Sequence, residues 1–339
     1  MGTNSEPLIT LCVSGFPGTN RSLMNLEKTT GLSRHFVLKG SDTKAVEVKF
    51  YVEYIKERNP KCVLFGGWSP VYDFFLKKLG NKKIEFGIYW TSSPGQVDIS
   101  EEIKYMDFLL NSEKVKHRLF ANRELASALS GYSGNMRHLP DTVLFPDEKK
   151  EKKREGKDRV SVISLFCSPF EYGRKNILNS LLALSMLKNR YILCVNGLSG
   201  NEYYGGVLKA LRIRYRDFGW MTDEKYQRVL SGVDLGLQIS FAETFNFVAA
   251  EHIVKRVPVI TSRMVPVMDC MPGYIKKRLV VDDPDSASEI RDKIGYLLEN
   301  PALLKDLGEK MHKYLKSENE KRIETAKNVL NSIIERNKG

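Results

Sequence analysis

The sequence predicts an α/β protein of two domains, each built on a parallel sheet, and three observations carry that expectation. Short apolar runs with strand character alternate with helix-length segments almost throughout, as strands joined by crossover helices do. At 339 residues the chain is too long for one small core and suits two domains of about 150 to 180 residues. Between the halves lies Asp147-Glu-Lys-Lys-Glu-Lys-Lys-Arg-Glu-Gly-Lys-Asp-Arg159, in which seven basic residues are offset by five acidic ones. With no apolar residue it cannot join a core, and it reads as a solvated linker rather than a nucleic-acid-binding segment.

In the first half, strands are expected near 7–13, 35–38, 61–65, 84–90, 107–111 and 135–139, with helices between them, most clearly over 44–58 and 71–79. The first strand runs into Ser14-Gly15-Phe16-Pro17-Gly18 and then a helix opening near Ser22. Gly15 and Gly18 would let backbone amides approach a ligand there. In the second half, strands are expected near 160–166, 190–195, 213–217, 233–239, 257–261 and 279–282. From Asn300 onward, Leu304, Leu307, Met311 and Leu315, then Ile323, Ala326, Val329, Leu330 and Ile333, recur at helical spacing and predict two amphipathic helices. The expected division is an N-terminal domain over 1–146, a linker over 147–159, a C-terminal domain over 160–315 and a helix over 316–339.

The formal net charge is +12, which favours a polyanionic neighbour such as an anionic membrane surface, a nucleic acid or a charged glycan. Five cysteines, Cys12, Cys62, Cys167, Cys194 and Cys270, are widely spaced without a C-x-x-C pair, so they read as buried thiols of a reducing compartment. The first strand begins almost at once, without the marks of a signal peptide, and no apolar stretch approaches a membrane span. The expectation is a cytoplasmic protein, with peripheral contact to the inner membrane face as a variant. The five histidines show no metal-ligand spacing, and Asp283-Pro284-Asp285 reads as a helix cap. No metal and no cofactor are expected.

Chemistry concentrates in Ser240-Phe241-Ala242-Glu243-Thr244-Phe245-Asn246-Phe247-Val248-Ala249-Ala250-Glu251, between the strand-like runs at 233–239 and 257–261. Glu243 is expected in a loop at a helix start and Glu251 two turns in. Eight helical residues rise roughly 12 Å, about the reach of a nucleotide-sugar from hexose to ribose, and carboxylates accept hydrogen bonds from sugar hydroxyls. A second element is the 160–166 strand followed by Cys-Ser-Pro-Phe-Glu-Tyr-Gly173 and then Arg174-Lys175-Asn176-Ile177. A lysine at that junction can point its ammonium at a diphosphate beside the positive end of a helix. Two further turns are Tyr191-Ile-Leu-Cys-Val-Asn-Gly197 and Phe218-Gly219-Trp220-Met221-Thr222-Asp223-Glu224, where Thr222 is a plausible N-cap.

These motifs, in this order, resemble the retaining GT-B glycosyltransferases, in particular glycosyltransferase family 4 with its Glu-x7-Glu signature. The resemblance is strong over 160–299 and fainter over 7–146. It implies two facing Rossmann-like domains with a cleft between them, the acceptor mainly on the first and the nucleotide-sugar mainly on the second. It also implies that the terminal helix crosses back to the first domain. The implied reaction moves a hexose from a nucleoside-diphosphate sugar, UDP- or GDP-linked, to a hydroxyl acceptor with retention of configuration and without metal. By the same resemblance, Glu243 holds the sugar hydroxyls and Lys175 the departing phosphate. Glu251 holds the ribose, while Arg174, Thr244, Phe245, Asn246, Phe247, Gly197 and Met221 complete the donor site. Gly15, Gly18, Trp68 and Trp90 are candidates for the acceptor side. The chain departs from the family at Phe170, where an arginine is usual, and at 89–93, which lacks the usual histidine.

Three alternatives stay open at this point. A nucleic-acid glucosyltransferase would show DNA-dependent donor consumption, a GT-B-type sugar-nucleotide epimerase would consume donor without acceptor, and a catalytically silent sugar- or lipid-binding protein would show no turnover.

Overall fold

A computed structural model describes residues 6–40, 42, 44–80, 83–92, 104, 107–108, 111–131, 136–146, 160–167, 173–188 and 190–335. The charged stretch 147–159 and Phe170 lie outside the described residues. The chain divides into two compact units, one formed by 1–144 with 319–339 and the other by 145–318.

The first unit is a six-stranded parallel sheet of β1 (Leu8–Val13), β2 (Arg34–Leu38), β3 (Cys62–Gly66), β4 (Glu85–Trp90), β5 (Val115–Phe120) and β6 (Met136–His138), in spatial order β2-β1-β3-β4-β5-β6. Its helices are α1 (Pro17–Thr30), α2 (Val46–Arg58), α3 (Pro70–Leu79) and α4 (Arg123–Leu129). Successive residues of a strand face opposite sides of the sheet, and the core sorts accordingly. Ile9, Leu11, Val63, Phe65 and Ile88 face α2 and α3, packing with Val52, Ile55, Phe75 and Leu79. Leu8, Cys12, Leu64, Tyr89 and Leu119 face the other way and pack with Leu23 and Leu26 of α1 and with Ala326, Leu330 and Ile333.

Those last three residues belong to the terminal helix, numbered α11 below (Pro301–Glu335), which is one continuous element of 35 residues rather than the two expected. Its polar middle, 316–322, interrupts the apolar spacing but contains no glycine or proline to stop a helix. A second correction concerns the strand expected at 107–111. Residues 107, 108 and 111 are helical, and the strand is β5, a little further on. The first helix also opens earlier than expected, with Pro17 at its first position, where a missing N–H costs nothing.

The second unit carries β7 (Ser161–Leu165), β8 (Tyr191–Val195), β9 (Tyr215–Asp217), β10 (Leu235–Gln238), β11 (Val259–Ser262) and β12 (Val280–Val281), all parallel, in order β12-β11-β10-β7-β8-β9. Numbered from its own first strand this is 3-2-1-4-5-6, the doubly wound dinucleotide-binding order. Its helices are α5 (Ile177–Ser185), α6 (Glu202–Ala210), α7 (Asp223–Ser231), α8 (Phe247–Val254), α9 (Gly273–Leu279) and α10 (Ala287–Leu298). Side-chain caps start four of them: Asn201, Thr222, Asn246 and Ser286 each accept from a backbone N–H of the first turn. Ser286 is the cap of α10, and Asp283 accepts from the N–H of Asp285 beside it. Among the described residues no helix is long and apolar enough to cross a membrane.

Candidate functional site

In the second unit the chain steps outward from β7 to β8 and β9, then returns to the other side of β7 with β10. Ligands of open α/β sheets bind at such a switch point, outside the carboxyl ends of the two diverging strands. Arg174 and Lys175 follow β7 there and lead into α5, while Glu243 to Asn246 follow β10 and lead into α8. A backbone hydrogen bond from the N–H of Phe241 to the carbonyl of Arg174, at 2.8 Å, holds the two segments side by side.

The side chains converge on Glu243. Lys175 Nζ lies 2.5 Å from Glu243 Oε1 and Arg174 Nη1 lies 2.9 Å from the same oxygen. Arg174 also donates to the carbonyl of Ala242 at 2.5 Å. Asn246 Nδ2 donates to Glu243 Oε1 and to Gln238 Oε1, both at 3.2 Å, and Gln238 in turn donates to the carbonyl of Phe166 at 2.7 Å. Burial by itself raises the Glu243 carboxyl, but the charges of Lys175 and Arg174 outweigh it and hold the group below its ordinary value. An ionised carboxylate is therefore kept at the mouth of the switch point between two cations.

Asn246 shapes the entry to α8. It sits at φ +70°, the left-handed region that asparagine tolerates better than most residues, and its Oδ1 accepts from the N–H of Ala249 at 2.9 Å. Behind α8 the imidazole of His252 is fully buried, with Nε2 2.5 Å from Ser164 Oγ of β7 and Nδ1 2.6 Å from the carbonyl of Val248. The backbone of Gly236 on β10 passes so close to this ring that a Cβ there would lie 2.5 Å from His252 Cδ2.

Towards β9 the same edge of the sheet is tied by polar side chains. Asn196 accepts from the N–H of Cys167 and donates to its carbonyl, both at 2.9 Å. Asp217 accepts from the N–H groups of Gly197, Ser199 and Gly219 at 2.6, 2.8 and 2.9 Å and from Ser199 Oγ at 2.6 Å. Burial opposes its charge, yet these four hydrogen bonds win and lower the carboxyl.

No family model and no curated protein matches the chain, but solved structures do. Sucrose-phosphate synthase from Thermosynechococcus elongatus superposes with a TM-score of 0.73 at 13% identity, over 96% of this chain and 98% of that one. A glycosyltransferase from Rickettsia africae ESF-5 gives 0.71 at 14% identity over 98% and 100%. HepE of Anabaena, in complex with UDP and glucose, gives 0.69 at 13% identity over 96% and 99%. The chain has the GT-B fold.

Within this GT-B chain the structure brings Lys175, Arg174, Glu243 and Asn246 into one contact network. Glu251 lies in the second turn of α8, half-buried, and Thr244 and Phe245 are buried beside Glu243 in sequence. Phe245 packs edge-on to Phe247, with ring centroids 5.2 Å apart. Gly197, at φ +83°, and Met221 flank the Asp217 network, Met221 packing against the core of its unit.

On the first unit Gly15, in the turn after β1, and Gly18, in the first turn of α1, are both exposed, and a Cβ at either would meet nothing within 4 Å. Trp68 packs partly against the core, with Lys104 Nζ 5.8 Å from its ring centroid. Trp90 is 2% exposed and donates its indole N–H to the carbonyl of Ser92, so it is a core residue. Sequence reasoning missed Gln238, Asn196, Asp217 and the partners of His252. The available signals were polar residues closing otherwise apolar strands. Among the described residues no group of three or more His, Cys, Asp or Glu side chains is arranged to hold a metal ion.

Proposed function

We propose that the protein is a retaining glycosyltransferase that moves a hexose from a nucleoside-diphosphate sugar, UDP- or GDP-linked, to a hydroxyl acceptor. The observation that carries this reading is the buried cluster of Lys175, Arg174, Glu243 and Asn246 at the switch point of a sheet with dinucleotide-binding order. The reaction builds negative charge on the diphosphate as the bond from the anomeric carbon to its oxygen breaks. Lys175 and Arg174, with the positive end of α8, meet that charge with donors already in place. Glu243 keeps both cations positioned and, being ionised, accepts hydrogen bonds from the sugar hydroxyls. Glu251, further along α8, accepts from the ribose.

The acceptor oxygen attacks the anomeric carbon on the face the diphosphate leaves, and a phosphate oxygen of the leaving group takes the acceptor's proton. No metal takes part in this scheme. Support for the donor comes from the Anabaena neighbour, whose structure holds UDP and glucose. The test is thermal denaturation with UDP-, GDP- and ADP-sugars, because selective binding raises the melting temperature, followed by NMR of the glycosidic product. A product of inverted configuration, or donor consumed without transfer, rejects the reading.

A further inference from the structure

Asn176 stands at the start of α5, directly after Lys175, and is 4% exposed. Its backbone is left-handed, at φ +51° and ψ 42°, in a turn closed by a hydrogen bond from its own N–H to the carbonyl of Gly173 at 3.0 Å. An asparagine at a helix start ordinarily accepts from an N–H of the first turn, as Asn201 and Asn246 do. The side chain of Asn176 does not. Its Nδ2 instead donates to the carbonyl of Pro284, 108 residues away in sequence, at 2.5 Å. Asn179, also of α5, donates to Asp285 Oδ1 at 3.1 Å.

The loop after β12 that receives these bonds is itself held firmly. Glu289 of α10 accepts from the N–H groups of Asp282 and Asp283 at 2.9 and 3.0 Å, Asp283 accepts from the N–H of Asp285 at 3.0 Å, and Arg263 pairs with Asp282 at 2.6 Å. α10 also packs against α5. Lys175 is thus gripped from both sides along the chain, since the carbonyl of Arg174 before it accepts from the N–H of Phe241 and the amide of Asn176 after it is tied to Pro284. A lysine ammonium rides on a flexible four-carbon stem, so the direction in which its backbone launches it decides where the charge lies. We propose that Asn176 is the positioning residue of Lys175: its left-handed turn aims the lysine at Glu243, and its amide locks that turn to the loop after β12. Asp283-Pro284-Asp285 then serves transfer through a backbone carbonyl rather than through its carboxylates. The inference rests on the transferase reading above, in which Lys175 meets the charge of the departing diphosphate.

Asn176→Gly keeps the turn, which glycine adopts freely, and removes only the tether. It should lower kcat roughly tenfold or more, because misplacing a catalytic group by 1 Å can cost about 10²-fold. Donor KM should stay within about twofold, since the interaction is made with charge that develops in the transition state. Asn176→Ala strains the turn as well and should lose more, and should that variant not fold, Asn176→Gly carries the test. In Lys175→Ala nothing is left to position, so adding Asn176→Gly should cost no more than about twofold. Asn179→Ala cuts the neighbouring tie to the same loop without touching the turn, and should leave kcat within about twofold. Additive losses in the double variant, or turnover by Asn176→Gly within about twofold of the parent, overturn the inference and leave the transferase reading standing. A second readout needs no turnover. Burial raises the Glu243 carboxyl, but the charges of Lys175 and Arg174 hold it below its ordinary value of 4.5. In protein carrying isotope-labelled glutamate, the Glu243 carboxyl resonance, assigned by its loss in Glu243→Gln, should titrate at higher pH in Asn176→Gly than in the parent. An unchanged midpoint overturns the inference. If the parent transfers no sugar, the transferase reading falls, and this titration alone decides whether Asn176 places Lys175.

Discussion

Lys175 Nζ and Glu243 Oε1 are 2.5 Å apart, in side chains of which 8% and 5% are exposed. A buried pair of this kind is costly to break, because removing one partner leaves a desolvated charge worth about 3 to 5 kcal/mol. Arg174, 2.9 Å from the same oxygen, moderates that cost.

Lys175→Ala should therefore act twice. Transition-state stabilisation should fall by about 2 to 4 kcal/mol, the scale of losing one preorganised donor to a developing anion. The melting temperature should fall as well. Arg174→Ala should cost less in both measurements. Activity retained within a few-fold in Lys175→Ala would move the phosphate role elsewhere.

Glu243→Ala and Glu251→Ala should separate. The first should lower turnover far more than it weakens binding of the free nucleoside diphosphate. The second should weaken nucleotide binding itself. Calorimetric titration of each variant with the diphosphate checks this, and equal losses of affinity would contradict the two roles.

Glu243 also makes a pH prediction. Its carboxyl is lowered in the folded protein from an ordinary value of 4.5. A depressed carboxylate contributes stability that is fully present above the unfolded value and is lost as pH falls through the folded one. The gap in melting temperature between the parent and Glu243→Gln should stay constant above about pH 5 and close progressively below 4.5. A gap that persists unchanged into strong acid would show that charge is not its origin.

Gly236→Ala should cost about 1 to 3 kcal/mol of stability, the usual range for overpacking, because the new methyl collides with the buried His252 ring. Gly206→Ala is the control. It lies inside α6 with nothing within 4 Å of a new Cβ, and there a gain of up to about 1 kcal/mol is expected. Urea denaturation of both variants makes the comparison.

On α2, Val46 and Phe50 are 83% and 59% exposed, one turn apart, with Lys44 and Lys49 exposed beside them. Apolar side chains among cations suit a peripheral contact with an anionic lipid surface. Vesicles containing anionic lipid should bind the protein where neutral ones do not, binding should weaken with salt, and Phe50→Ser should reduce it. Negligible binding to both vesicle types, with full activity on a soluble acceptor, would remove the contact.

Parallel strands and the loops after them were legible because apolar runs punctuated by glycine, serine and asparagine leave few other folds. β5 was not, because Val115-Lys-His-Arg-Leu-Phe120 places three basic residues in a strand of six. His117 is buried there with partners distant in sequence, Glu85 at 2.6 Å from Nε2 and Arg137 at 3.2 Å from Nδ1. The unbroken α11 was hidden in the same way. Asn319, in its polar stretch, both donates to and accepts from the backbone of Val143, at 2.9 and 2.8 Å. At the site, Lys175, Glu243 and Asn246 could be chosen individually by residue type and local context. Their pairing could not, since 68 residues separate Lys175 from Glu243. Asp217 looked like an ordinary strand end, and only the folded loops show that it collects four donors.

The first unit completes the second face of its core, begun by α1, with residues beyond 319, and this gives the molecule an order of assembly in time. A ribosome adding about 5 to 20 residues per second produces Leu8, Cys12, Leu64 and Leu119 on the order of ten seconds or more before Ala326, Leu330 and Ile333. The second unit, contiguous in sequence, can close first. Until α11 emerges, the part of this apolar sheet face that α1 does not cover stays open, and the first unit cannot reach its final packing before about the last 20 residues are made.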